Sequence, residues 1–406
     1  MSKTIAVLAT LDTKGREAGL VCEEIKRLGH EALLIDAGVL GKPALTAQVR
    51  REAVAEAGGT PLAELQRAND RGQAVATMAS GAAAIVRGLV SGGRIHGLLA
   101  LGGSAGSSIG AAAMHDLPVG FPKLMVSTMA SGDTRPYVGT KDVTLMYSVV
   151  DIAGLNRLSR RILTNAAGAI CGMATVTPRA NDDRPMIAAT MFGVTTPCVT
   201  KAREILERAG YEVLVFHATG SGGQAMEGLI EDGYFAGVLD ITTTEWADEL
   251  VGGVLSAGPR RLEAAGRVGA QQIVSVGSLD MVNFGPRETV PERFRDRKFH
   301  VHNPTVTLMR TTPNENRELG RIIAEKLNAA SGLTTVVLPL RGVSALDRPG
   351  ASFDDPAARE ALFAALRQHL KPQVRRVEVD AHINDDAFAA CLVDELLALL
   401  NVGTRA

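Results

Sequence analysis

Residues 98–108 read LLALGGSAGSS, and the Ala-rich segment IGAAAMH follows them. The apolar residues predict a buried strand, the Gly and Ser residues a tight turn, and the segment after them a helix. A second run, TIAVLA at residues 4–9, has the same uniformly apolar centre. Such runs are typical of strands that are covered on both faces, so we predict an α/β fold with parallel sheets.

The composition agrees with a folded chain of more than one domain. The chain has 406 residues, of which 46% are hydrophobic, and its 43 glycines far outnumber its ten Phe, four Tyr and one Trp. At roughly 150 residues per domain this length predicts two or three domains. A formal net charge of −1 gives no general attraction to nucleic acids or anionic membranes, so we expect neither as a partner.

Cellular location is predicted from three patterns. The four cysteines lie far apart without a CxxC pair, which fits neither a disulfide scaffold nor a zinc site. The N-terminus lacks the pattern of a secretory signal, and no continuous apolar run reaches the roughly 18 residues of a membrane span. We therefore expect a cytoplasmic protein.

The second half of the chain resembles the first, although any two parallel α/β units share such apolar strands. EILERAGYEVLVFHATG at 204–220 resembles EEIKRLGHEALLIDAG at 23–38, and Ala189 is matched to Ala9. The offset of 180 to 181 residues becomes 140 to 149 after an insertion near residues 40–80. We predict two duplicated Rossmann-like domains, residues 1–180 and 185–406, that face each other across a cleft. Polar and Pro residues at 176–185 mark the boundary.

The glycine-rich turn of the opening segment predicts an anion site. Gly102, Gly103, Ser104 and Ala105 would offer backbone N–H groups to a phosphate or carboxylate at a helix N-terminus. The alternative is that small residues only let the helix pack closely on the sheet. The turn lacks the Lys of a P-loop. It also satisfies G-x-S-x-G, so Ser104 is a candidate nucleophile, although nothing in the sequence brings an acid (Asp240 or Asp280) and a histidine to it.

A second glycine-rich turn lies in the second half. Gly220, Gly222 and Ala225 satisfy G-x-G-x-x-A, with Asp240 at the end of the next strand. Since this turn follows the second strand of its domain rather than the first, we predict that it does not bind NAD. With Gly223, Gln224, Thr243 and Thr244, it is expected to form the second domain's side of the cleft.

Polar residues recur at the predicted strand ends, where α/β sheets bind ligands. Hydroxyls and lysine bind phosphate oxygens, and carboxylates hold Mg²⁺, although helix capping is the alternative for each residue alone. Two histidines are candidates for catalysis, His217 and His302, and His302 lies two residues after His300. The strand-end candidates of the first domain are Asp12, Thr13, Lys14, Ser127, Thr128 and Asp133.

Six segments together resemble the Tm-1-like, or UPF0261, family. They are ATLDTKG, LGGSAGSS, VSTMASGDTRPYVGTKDVTLMYSVVDIAGLN, HATGSGGQAMEGLI, DITTTEWADELVGGVLSAGPRRLEAA and GSLDMVNFGP. The resemblance covers nearly the whole chain. It implies two Rossmann-like subdomains, an ATP site with Mg²⁺ and a homodimer, but no reaction.

We therefore expect the first domain to bind ATP or a related phosphorylated metabolite, with Mg²⁺ arriving with the nucleotide rather than at a protein metal site. The alternative is a metabolic enzyme of hydrolase or lyase type that acts on a small carboxylate or sugar acid in the same cleft. Whether the protein turns over a substrate stays open at this point.

Overall fold

The computed structural model describes residues 2–177 and 184–403. The chain divides into two compact units, Met1–Ala180 and Asn181–Ala406. Most of the predicted boundary segment, residues 176–185, lies outside the described residues. Each unit is built on its own parallel sheet, as the apolar strand pattern predicts.

The first unit has a five-stranded parallel sheet in the order β2-β1-β3-β4-β5. Its central strands are buried along their whole length because helices cover both faces. The strands are β1 (Thr4–Ala9), β2 (Glu31–Asp36), β3 (Gly97–Gly102), β4 (Lys123–Ser127) and β5 (Thr144–Tyr147). The helices are α1 (Leu11–Arg27), α2 (Arg51–Ala57), α3 (Leu62–Ala68), α4 (Arg71–Ser91), α5 (Ser104–His115), α6 (Arg135–Val138) and α7 (Arg157–Thr175).

Helix α4 is a core helix of this unit. By length and mean hydropathy it is the one helix in the described part of the chain that could cross a membrane. Its residues Met78, Ala82 and Val86 are instead fully buried in the core that α4 shares with α5. Helices α1 and α7 cover the opposite face of the sheet.

The second unit has a six-stranded parallel sheet in the order β14-β13-β9-β8-β6-β7 and a three-stranded antiparallel sheet, β10-β12-β11. The C-terminal section therefore completes this sheet. The strands are β6 (Met186–Met191), β7 (Glu212–His217), β8 (Gly237–Thr242), β9 (Gln272–Gly277), β10 (Met281–Phe284), β11 (Phe299–Asn303), β12 (Val306–Arg310), β13 (Thr334–Pro339) and β14 (Arg375–Val379). The helices are α8 (Thr196–Arg208), α9 (Ser221–Glu231), α10 (Glu245–Val251), α11 (Ala264–Val268), α12 (Pro313–Asn328), α13 (Pro356–His369) and α14 (Asp386–Gly403).

The strand order and register agree with a duplication. The order β2-β1-β3-β4 of the first sheet recurs as β7-β6-β8-β9 in the second. Ile5 pairs with Gly97, and Ile187 pairs with Gly237 in the same way. The sequence match at the first strand is wrong by two residues, because Ala9 is equivalent to Met191 rather than to Ala189.

Candidate functional site

A cavity of about 610 Å³ opens at the carboxyl ends of the first unit's strands, the usual ligand position in α/β sheets. All of its lining residues belong to the first unit. The lining includes eight of the ten residues predicted for ATP binding: Asp12, Thr13, Lys14, Gly102, Gly103, Ser104, Ala105 and Thr128.

The other two predicted residues, Ser127 and Asp133, are outside the lining. The Ser127 hydroxyl is buried, lies 2.5 Å from the Ser107 hydroxyl and accepts a hydrogen bond from the Met129 N–H. The Asp133 carboxylate pairs with Arg135 at 2.7 Å, and the hydrogen bonds from Arg135 lower the pKa of this carboxyl to about 2. Both side chains are thus engaged in local contacts. This agrees with the alternative that polar residues at strand ends serve the local structure rather than a ligand.

The glycines of the turn divide into two groups. A Cβ on Gly102 would lie 2.5 Å from the Gly106 Cα, so Gly102 is needed for close packing of β3 on α5. A Cβ on Gly103 would meet nothing closer than the Thr128 hydroxyl at 3.7 Å, and the φ of Gly103 is −80°. Neither packing nor backbone conformation requires a glycine at position 103. The open space beside the Gly103 Cα borders the cavity.

Several groups that can attract an anion lie around this turn. Gly103 is the N-cap residue of α5 and Thr10 that of α1, and neither N-terminus has a side-chain cap. At α5 the first N–H groups are therefore free for an anion, whereas at α1 the Leu11 N–H donates to the Asp36 carboxylate. Lys14 and Arg71 also line the cavity, and neither side chain forms a hydrogen bond or ion pair with any described residue.

Two carboxylates shape the edge of the cavity. Asp12 accepts hydrogen bonds from the N–H groups of Leu40 and Gly41 at 3.1 and 3.2 Å. Asp36 accepts from the N–H groups of Leu11 and Gly38 at 3.0 and 2.8 Å, and burial raises its pKa above the ordinary value. Together they fasten the loop after β2 to the start of α1. Asp12 is therefore a positioning residue for this loop as well as a lining residue.

The insertion forms the wall that the sequence analysis missed. The insertion is helical, and its helix α3 and the first turns of α4 line the cavity. Leu65, Val75 and Met78 make this wall apolar, and Asn69 and Arg71 add polar groups. The length of the connection between two strands could have indicated this wall. Residues 37–96 separate β2 from β3, whereas only residues 218–236 separate the equivalent β7 and β8.

Ser104 lies exposed at the start of α5 and lines the cavity. Among the described residues, no histidine lines the cavity beside it. The cavity therefore offers Ser104 no histidine among the described residues to act as its general base.

The glycine-rich turn of the second unit is filled by the protein's own carboxylate. Glu245 is fully buried and accepts hydrogen bonds from the N–H groups of Gly220 and Gly223 at 2.7 and 3.1 Å. A Cβ on Gly223 would overlap this carboxylate. The turn follows β7, the second strand of its unit, as we expected when we discounted NAD. Glu245 thus takes the place at the start of α9 where a dinucleotide phosphate would bind.

A buried arginine neutralises this carboxylate. Arg261 donates to Glu245 at 2.7 Å, to Asp240 at 2.5 and 2.8 Å, and to Glu227 at 3.1 Å. Burial raises the pKa of Glu245, and Arg261 opposes that rise. Asp240 is consequently an ion-pair partner in the core of the unit.

The remaining second-unit candidates have structural contacts. Thr243 and Thr244 are fully buried: the first donates to the Ser275 carbonyl, and the second accepts from the Asn283 side chain at 3.5 Å. Gln224 donates to the Ala257 carbonyl at 3.3 Å.

Both predicted catalytic histidines are exposed. The His217 ring stacks on Phe192 with a centroid distance of 5.5 Å, and the rings of His302 and His300 lie 6.4 Å apart on β11. Neither is part of the cavity lining described above.

Two buried carboxyls in this unit carry raised pKa values. Asp248 accepts hydrogen bonds from the Asn283 N–H at 2.9 Å and from its side chain at 2.6 Å. Burial nonetheless raises the pKa of Asp248 to about 7. Burial and the nearby Asp347 also raise the pKa of Asp280 to about 7, and one oxygen of Asp280 has no hydrogen-bond partner among the described residues.

Comparison with known proteins identifies the family. Residues 3–179 match the N-terminal domain of "Uncharacterised protein family (UPF0261)", and residues 184–400 match its C-terminal domain. A UPF0261 protein of Clostridium tetani is 52% identical over 98% of this chain and 100% of its own length. The ToMV resistance protein Tm-1(GCR237) of Solanum lycopersicum is 48% identical over 75% of this chain and 41% of its own length.

Similarity to solved structures is much weaker. The structure titled "S. aureus MnaA-UDP co-structure" aligns over 99% of this chain and 97% of its own, with 11% identity and a TM-score of 0.22. This TM-score is too low to support any argument. Sequence similarity along both domains is what decides the assignment, and by that criterion the chain belongs to the UPF0261 family.

Proposed function

We propose that the first unit binds ATP or a related phosphorylated metabolite in its strand-end cavity. The observation that carries the proposal is the open space at Gly103, beside the uncapped N-terminus of α5, in a cavity lined by two cations, Lys14 and Arg71, that pair with no described residue. A helix N-terminus beside unpaired cations favours a ligand with several negative charges. The volume, about 610 Å³, lies within the roughly 300–1,000 Å³ of small-molecule sites.

The two walls of the cavity suit the two ends of a nucleotide. Strands β1 and β3 are neighbours in the sheet, so the first turns of α1 and α5, with Lys14 and Gly103, lie side by side at the sheet edge. We assign the phosphates to this edge. The base and ribose then lie against the apolar wall of Leu65, Val75 and Met78.

Magnesium fits this site only as a companion of the phosphates. Among the described residues, no group of three or more His, Cys, Asp or Glu side chains is arranged to hold a metal. Asp12 is engaged with the loop at Leu40, whereas Asp151 lines the cavity with an exposed side chain. Mg²⁺ takes one or two carboxylates together with phosphate oxygens and water, so Asp151 is the carboxylate we assign to it.

The proposed location is the cytoplasm. All four cysteines, Cys22, Cys171, Cys198 and Cys391, are free thiols in the structure. Burial raises the pKa of Cys22 to about 11, so it stays protonated and unreactive at neutral pH. Free thiols are typical of a reducing compartment.

Isothermal titration calorimetry of the whole chain with Mg-ATP tests the proposal. We expect saturable binding that weakens roughly 10- to 150-fold in Lys14→Met, since a hydrogen bond to a charged group contributes about 1.5–3 kcal/mol. Lys26→Met is the matched control, because Lys26 lies in the last turn of the same helix and outside the cavity lining. It should leave the affinity unchanged.

The same cations would also accept a small carboxylate, which is the alternative substrate class. A parallel titration with citrate and gluconate therefore separates the two. Binding of either acid without binding of Mg-ATP would overturn the nucleotide proposal in favour of a site for small carboxylates.

A further inference from the structure

The insertion places one side-chain amide on the apolar wall of the cavity. Asn69 lies in the turn between α3 and α4 and lines the cavity beside Leu65 and Val75. The equivalent described crossover of the second unit, residues 218–236 between β7 and β8, contains only α9 and forms no such wall. The insertion therefore gives the first unit polar groups that the other copy of the fold lacks.

The side chain of Asn69 is unused by the protein. Its backbone has a φ of +47°, and its N–H donates to the Leu65 carbonyl at 3.2 Å to end α3. Its side chain is exposed and forms no hydrogen bond with any described residue. The neighbouring Asp70 is different, because it accepts from the Gln73 N–H at 3.0 Å as the N-cap of α4. Asn69 thus offers a free donor and a free acceptor next to an apolar surface.

This pair of groups matches one nucleobase. An asparagine amide pairs in bidentate fashion with adenine, accepting from the N6 amino group and donating to N7. Guanine presents two acceptors, N7 and O6, on the corresponding edge, so the amide oxygen would face another oxygen. We propose that Asn69 is the base-reading residue of the cavity and selects adenine over guanine. This inference rests on the proposed function.

The left-handed backbone of Asn69 is explained by its position as the C-cap of α3, independently of any ligand. Asparagine and glycine are the usual residues at the end of a helix in this conformation. Glycine would satisfy the backbone equally well without an amide side chain. Asn69→Gly therefore removes the proposed base contact and keeps the turn.

The experiment measures ATP and GTP dissociation constants, each with Mg²⁺, for the whole chain. We expect the wild-type protein to prefer ATP by roughly 5- to 150-fold, the discrimination of one bidentate contact. In Asn69→Gly the ratio should approach one, with an unchanged melting temperature of the free protein. In Asn69→Lys it should reverse in favour of GTP, because a lysine ammonium donates to the N7 and O6 acceptors on the same edge of guanine.

The possible failures are distinguishable. If the wild-type protein binds neither nucleotide, the proposed function is wrong and the inference falls with it. If it binds ATP selectively and both variants keep the wild-type ratio, the inference alone is wrong, because other groups read the base. Should Asn69→Gly lower the melting temperature, the ratio in Asn69→Lys decides the question.

Discussion

Replacing Gly103 with valine should remove ligand binding at little cost to the free protein. The new Cβ would have 3.7 Å to the nearest atom, the Thr128 hydroxyl oxygen, so the fold has room for it. Valine is a poorer N-cap residue than glycine, which costs about 1 kcal/mol. The side chain would occupy the space in front of the free N–H groups of α5.

The size of the effect follows from linkage. A ligand that binds only the native state adds about 2.7 kcal/mol of stability at a hundredfold excess over Kd. For a unit of this size that corresponds to a rise in melting temperature of about 5–10 °C. Differential scanning fluorimetry with and without Mg-ATP measures it. We expect the rise in the wild-type protein and none in Gly103→Val.

Gly102→Ala is the matched control for packing. Its Cβ would lie 2.5 Å from the Gly106 Cα, so we expect the free protein to lose roughly 1–3 kcal/mol through overpacking. A loss in Gly103→Val well beyond the about 1 kcal/mol of the poorer N-cap would refute the reasoning, because Gly103 would then serve packing. So would an unchanged Mg-ATP response in a folded Gly103→Val protein.

Three further predictions concern the second unit. The raised pKa of Asp248, about 7, means that the folded state keeps a proton that the unfolded state releases near pH 4. This contribution to the free energy of unfolding, at most about 4 kcal/mol, is fully present below pH 4 and lost as the pH rises to 7. In urea unfolding, the stability of Asp248→Asn should therefore depend less on pH than that of the wild-type protein. Parallel pH profiles for the two proteins would contradict this. Arg261→Met leaves three carboxylates without their cation and should lower the free energy of unfolding in urea by about 3–5 kcal/mol. The control Arg267→Met removes an exposed ion pair and should lower it by less than about 1 kcal/mol. Titration with NADH should give no saturable fluorescence change, since Glu245 fills the glycine-rich turn; an enhancement that disappears in Gly222→Val would count against this interpretation.

The sheets were predictable because their signal is local. Buried parallel strands are continuous apolar runs, and TIAVLA and GLLALG are strands β1 and β3 of the first sheet. The polar segments after those strands also reach the cavity, because parallel strands bring their carboxyl ends to one edge. The first-strand match between Ala9 and Ala189 was wrong by two residues, since Ala-rich apolar runs look alike at neighbouring registers.

What the sequence could not predict depends on contacts between distant residues. Glu245 lies 22 residues after Gly223, and no local pattern indicates that its carboxylate occupies that turn. The polar, Ala-rich insertion carries no sign that Leu65 and Asn69 face a cavity. Ser127 and Thr128 are adjacent in sequence, yet one is buried against Ser107 and the other lines the cavity.

A crystal structure of the whole chain with Mg²⁺ and a non-hydrolysable ATP analogue tests the central claim most directly. We predict density for the phosphates within hydrogen-bond distance of the N–H groups at Ser104 and Ala105, with the base against Leu65 and Met78. An empty cavity at saturating analogue, or analogue bound only at the glycine-rich turn of the second unit, would contradict the account.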